Sequence, residues 1–314
     1  MFKKFAPPIE IPDQYLSNIN FSGLKGRLLY LPMPKRKSKT FVVLSGQHAA
    51  HERMYSIAQA INDYGEVYLP DLPGFGGMTS FYKIGKRPTW DNYADYLYTF
   101  LKTHNLREDI WFFASSFGAQ VMTRMLEKYP DSQAWVKQPI AFVGFAAGSN
   151  FHMSKAYRGL ILAISYPIST RPGAWLAKRA LFNRLGLHLM LAVFTRTKAK
   201  MQSDDGVLKN EMKSMEGYLW TVNDKRTHAA TAITMLRDDL RRYNKAKIKL
   251  KLHNITTDSD QYFDNERVRA AFLELYDKYE TSSLNLHVHA PSLIADKAAV
   301  KSMLSSETLK VLKR

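Results

Sequence analysis

Ile110-Trp111-Phe112-Phe113-Ala114-Ser115-Ser116-Phe117-Gly118 decides how this chain is read. The apolar run at its start reads as a strand inside a covered sheet. Small residues follow in a sharp turn, and Ala119-Gln120-Val121-Met122-Thr123-Arg124-Met125-Leu126 continues with helical spacing. A strand, a tight turn carrying a serine and then a helix is the layout of a nucleophile elbow. It lifts a hydroxyl above the sheet and aims the helix N-terminus at the place where an oxyanion would form. The turn is strained, so the residues two before and two after the serine must be small. Ser116 meets that condition with Ala114 and Gly118, whereas Ser115 would be flanked by Phe113 and Phe117. The alternative is an ordinary strand-to-helix turn whose serine caps the helix.

The surrounding pattern alternates strands with helices. Strands are expected at Gly26 to Leu31, Phe41 to Leu44, Glu66 to Leu69, Ile140 to Phe145, Ile248 to His253 and Leu284 to Val288. Helices are expected at Arg53 to Tyr64, Tyr93 to Leu101, Glu266 to Tyr279 and Asp296 to Leu312. This rhythm implies an α/β fold with a mostly parallel central sheet flanked by helices. Residues 151–243 interrupt it with helical patterns alone, as a helical cap inserted after the sixth strand. The organisation is thus a core in two parts, residues 1–150 and 244–314, with a lid between them.

Composition narrows the class. The chain has 314 residues and is 46% hydrophobic, enough for a sizeable core. It has no cysteine, which excludes disulfides, thiolate metal sites and cysteine catalysis. Met1 to Pro8 carries basic residues without an apolar stretch behind them, so no secretory signal is expected. No segment reaches the roughly 18 apolar residues of a membrane span. A cytoplasmic location is expected, with peripheral attachment to a membrane as the alternative. The 45 basic and 28 acidic residues give a net charge of +17, which favours anionic partners. Nucleic acid is not expected, because no recognisable nucleic-acid module accompanies the charge.

Over nearly its whole length the chain resembles the α/β-hydrolase superfamily, on Leu44-Ser45-Gly46-Gln47, the Asp71-Leu72-Pro73-Gly74-Phe75-Gly76 loop, the elbow at Ser116 and the last two strand ends. Ala114 stands where the family's Gly-x-Ser-x-Gly has its first glycine, and Ser45 where relatives commonly have histidine. The resemblance implies a triad in the order serine, acid, histidine, on successive strand ends. The acid falls in Thr257-Asp258-Ser259-Asp260-Gln261-Tyr262-Phe263-Asp264. Relatives often place an apolar residue three after the acid, which favours Asp260, followed by Phe263, over Asp258. The other reading is that these aspartates cap turns and the next helix, as is expected of Asp258 and Asp264. The resemblance implies His289 as the base, at the end of the last strand, with His287 expected on the opposite side of that strand. The oxyanion hole is expected from the backbone N–H groups of Gln47 and Phe117, with Gly46 and His48 against the substrate. His51 is a further candidate for substrate contact, and the Asp71 to Gly76 loop is read as structural. No Gly-x-Gly-x-x-Gly fingerprint or metal-ligand spacing occurs, so no cofactor or metal is expected.

The insertion has its own signature. Residues 151–203 contain nine Lys or Arg and no Asp or Glu, around two apolar runs. Such a stretch can lie on an anionic membrane surface. It can equally pack its apolar side over the active-site mouth, with Trp175 among the residues lining an acyl pocket. The expected activity is that of a serine hydrolase cleaving small-molecule or lipid carboxylic esters. Thioester, amide and acyl-transfer chemistry stay open. The alternative is a non-catalytic protein of this fold, binding lipid or an acidic partner through the basic lid.

Overall fold

The computed structural model describes residues 5–33, 38–183, 185–187, 189, 206–243, 246–258, 260–285 and 296–314. Among the described residues, eight strands form one sheet: β1 (Leu16–Phe21), β2 (Leu24–Leu31), β3 (Lys39–Leu44), β4 (Gly65–Pro70), β5 (Ile110–Ser115), β6 (Val136–Phe142), β7 (Ile248–Thr256) and β8 (Tyr276–Ser283). Their spatial order is β1-β2-β4-β3-β5-β6-β7-β8. Only β2 runs against its neighbours; the pairs from β4 through β8 are all parallel.

The central strands are apolar on both sides because helices cover both sides. Successive residues alternate faces. Val42, Leu44, Phe112 and Ala114 therefore pack with Tyr93, Leu97 and Phe100 of helix α2 (Trp90–Thr103) and with Met122 of α3 (Phe117–Lys128). Phe41, Val43, Trp111 and Phe113 pack with Met54, Ala58 and Ile61 of α1 (His51–Asn62) on the other face. Among the described residues, four α-helices lie between β6 and β7: α4 (Lys155–Ile168), α5 (Arg171–Ala180), α6 (Gly206–Val222) and α7 (Lys225–Arg237). The chain closes with α8 (Asn265–Leu275), α9 (Lys297–Met303) and α10 (Ser306–Lys313). Among the described residues, no helix is long and apolar enough to cross a membrane.

Several expected boundaries are corrected. The helix after β7 ends at Leu275 and is followed directly by a strand, Tyr276–Ser283; of the strand expected from Leu284 to Val288, residues 286–288 lie outside the described residues. β8 is the sheet's edge and exposes Asp277, Lys278 and Glu280, so it lacks the apolar run of a central strand. β1, on the opposite edge, is polar for the same reason and was not expected. β6 stops at Phe142, where Val143 takes φ +47°. β7 runs three residues past His253, whose Nε2 lies 2.8 Å from Ser282 Oγ inside the sheet. The single C-terminal helix is two, broken where Leu304 bridges to Leu284.

Candidate active site

Leu44 pairs with Ala114 at the C-terminal ends of β3 and β5, so the loops after these strands meet above the sheet. Ser116 leaves β5 with φ +45° and ψ −109°, a conformation non-glycine residues adopt only under strain. Its amide is held by Phe142 O at 2.9 Å. The turn is tight enough that a Cβ on Gly118 would sit 2.8 Å from both Leu44 Cβ and Ser45 O. Only glycine lets α3 start there. Ser116 occupies the N-cap position of α3, yet its side chain makes no capping hydrogen bond. The capping alternative therefore does not account for this serine.

Gly46 faces the serine: a Cβ built on it would lie 3.4 Å from Ser116 Cβ. The loop it belongs to is anchored by side chains. Gln47 Nε2 donates to His228 O at 2.9 Å and Thr231 Oγ1 at 2.7 Å, both on α7. Arg53 donates to His48 O at 3.2 Å, and His48 itself takes φ +60°. Phe117, the first residue of α3, has an amide beyond the reach of any intrahelical acceptor, and its ring is wholly buried against Trp90 and Tyr93.

His48 is half-buried within an aromatic cluster. Its ring lies 4.4 Å from Trp220 and 5.0 Å from His228, and Phe182 stacks on Trp220 at 4.7 Å. Its Nε2 is 3.4 Å from Glu216 Oε2. Burial pushes the His48 imidazole below its usual range against the pull of Glu216. Burial, with His48 and Lys225 nearby, pushes His228 well below it. Lys225 is lowered to about 8 by burial. Both imidazoles are thus neutral at neutral pH, able to donate and accept hydrogen bonds without adding charge. His228, Trp220 and Glu216 were not legible in the sequence, where they lie far from His48 and no short motif joins them.

His51 does not join this cluster. It is buried with Nε2 at 3.4 Å from Asp71 Oδ1, and burial lowers it to about 3. Asp71 also accepts from Arg27 Nε at 3.3 Å, and Arg27 pairs with Glu52 at 2.8 Å. A Cβ at Gly76, with φ +59°, would strike Asp71 Oδ1 at 2.0 Å. The loop from Asp71 to Gly76 is therefore a structural turn, clasped by Asn223 Oδ1 on Gly76 N at 2.8 Å.

Asp260 follows β7, two strands from the elbow. Its Oδ1 accepts from the amides of Tyr262 at 2.7 Å and Phe263 at 3.1 Å, so it caps the turn while its own orientation is fixed. Phe263 stacks on Phe145 at 4.5 Å, which pins that loop to the segment after β6. Asp258 is exposed and accepts from Ser283 Oγ at 2.5 Å, at the end of β8. Asp264 caps α8 through Arg267 N at 3.1 Å, as expected. His289 and His287 lie outside the described residues. Trp175, expected in the acyl pocket, is 57% exposed and carries Arg179 over its ring at 4.4 Å.

No protein-family model and no curated protein matches the chain. Solved structures do. An esterase from Exiguobacterium antarcticum superposes with a TM-score of 0.67 at 13% identity, over 93% of this chain and 97% of its own. A bromoperoxidase from Bacillus anthracis gives 0.65 at 12% identity, over 95% and 99%. An enol-lactonase from Burkholderia xenovorans gives 0.62 at 12%, over 94% and 99%. The chain has the α/β-hydrolase fold. In that fold the C-terminal ends of β5, β7 and β8 border one edge of the sheet. Ser116 and Asp260 lie just beyond two of those ends, and His289 follows the third in sequence.

Proposed function

We propose that the protein is a serine hydrolase acting on carboxylic esters. The observation that carries this reading is the backbone of Ser116: a strained serine whose hydroxyl does not cap its helix, opposite Gly46 and at the start of α3. The solved relatives described as an esterase and an enol-lactonase lend support at the level of fold.

In the proposed mechanism Ser116 Oγ attacks the ester carbonyl as its proton passes to His289. The Gln47 and Phe117 amides receive the oxyanion, and Asp260 orients the imidazole and balances its charge. The alcohol leaves with the proton from His289. Water, deprotonated by His289, then cleaves the acyl-enzyme and restores Ser116. Gln47 owes its position to α7, which couples the oxyanion loop to the insertion.

Turnover of p-nitrophenyl esters of increasing acyl length tests the assignment. Wild type hydrolyses them, His289→Ala and Asp260→Asn lose on the order of 10⁴-fold, and Asp258→Asn does not. Absence of wild-type turnover at every chain length contradicts the reading. A loss confined to Asp258→Asn would move the acid to that residue.

A further inference from the structure

Helix α4 has two apolar sides. Ile161 and Leu162 point inward and pack on the main core. Leu160, Ala163, Ile164 and Pro167, at positions i, i+3, i+4 and i+7, face solvent. On α5, Trp175 and Leu176 are 57% and 60% exposed. Of the eleven large apolar residues exposed among the described ones, eight lie between 160 and 189. An apolar surface this concentrated marks an interaction site rather than scattered exposure.

The charges around it select the partner. Lys155, Arg171, Lys178 and Arg179 are exposed on the same two helices, and the sequence has no acidic residue from 132 to 203. Arg179 lies 4.4 Å from the centre of the Trp175 ring, at the border of the apolar surface. Indole and guanidinium side by side suit the boundary between acyl chains and phosphate headgroups, where the ring sits in the interface and the cation reaches phosphate. A second copy of this chain would set these cations against each other.

We propose that the outward face of α4 and α5 docks on an anionic phospholipid bilayer, with the apolar side chains entering the interface and the cations meeting headgroup phosphate. This holds whether or not Ser116 is reactive, and binding alone tests it.

The experiment is co-sedimentation with vesicles of phosphatidylglycerol and phosphatidylcholine, and of phosphatidylcholine alone. Wild type is compared with Leu160→Gln/Ile164→Gln and with Lys178→Gln/Arg179→Gln. All four residues are exposed, and thermal melts by circular dichroism verify that each variant is folded. The expected result is wild-type binding to the anionic vesicles, released by salt. Binding drops roughly fivefold per cation removed, and about tenfold in the apolar variant. No wild-type binding to anionic vesicles, or binding that both variants retain, overturns the proposal. So does a wild-type dimer, seen by light scattering, that the apolar variant dissolves, since a second copy would then cover the face. Retention on immobilised polyglutamate without vesicle binding overturns it in favour of an acidic protein.

Discussion

Helices α2 and α4 are each fourteen residues long and each begins with a hydroxyl cap: Thr89 accepts from Asn92 N, and Ser154 from Tyr157 N. Local chemistry treats them alike. Their surroundings do not. α2 buries Trp90, Tyr93, Ala94, Tyr96, Leu97, Phe100 and Leu101, whereas α4 fully buries only Ser165. Helical periodicity thus reports that a helix forms, but not which of its faces meets the core. The sheet side of this molecule spends its apolar residues on packing; the insertion displays them.

The largest expected contrast lies between two serines at N-cap positions. Ser116→Ala should lower ester turnover by on the order of 10⁴-fold or more without loss of stability, because its hydroxyl caps nothing. Ser154→Ala should leave turnover unchanged and cost about 1 kcal/mol, because its hydroxyl does cap α4. Steady-state kinetics and urea unfolding on both variants read the two effects separately.

Packing comes next. Leu97→Ala on α2 should cost about 3 kcal/mol, while Ile164→Ala on α4 should stay within about 0.5 kcal/mol. A cost at Ile164 close to that at Leu97 would mean that α4 is packed on its outward side and would break the comparison.

Glycines sharpen it further. Gly118→Ala should destabilise by about 2 kcal/mol, because its Cβ meets Leu44 and the Ser45 carbonyl. Gly159→Ala on α4 meets nothing within 4 Å and should stabilise by roughly 0.5–1 kcal/mol. Thermal melts of the pair decide the sign at each position.

The smallest effect is a pH dependence. His48 and His228 have folded pKa values below their unfolded one of about 6.5. As pH falls through about 6.5, the unfolded chain takes up protons that the folded one refuses, so stability declines with acidification. His228→Phe should flatten that decline in melts run from neutral pH downward. An unchanged slope would place these imidazoles in solvent.

Much of the fold was legible because strands covered on both sides must be apolar throughout. Phe41 to Leu44 and Ile110 to Phe113 announce themselves in that way. The edge strands β1 and β8 do not, since Asn18, Asn20, Asp277 and Glu280 face water and break the pattern. The elbow was legible because its strain admits few residues, and Ala114, Ser116 and Gly118 satisfy it locally. The wall formed by His48, Trp220 and His228 was not, because only tertiary folding brings α6 and α7 over the loop after β3. His51 was read as a substrate contact on proximity in sequence alone. As the first residue of α1 it is buried in the interior beside Asp71 instead.

The proposed hydrolase depends on Ser116 acting as a reactive nucleophile. Incubation with a fluorophosphonate, followed by intact mass and peptide mapping, tests it most directly. A single adduct located on Ser116, absent in Ser116→Ala, is the predicted result. No adduct, or one on another residue that persists in Ser116→Ala, would contradict it.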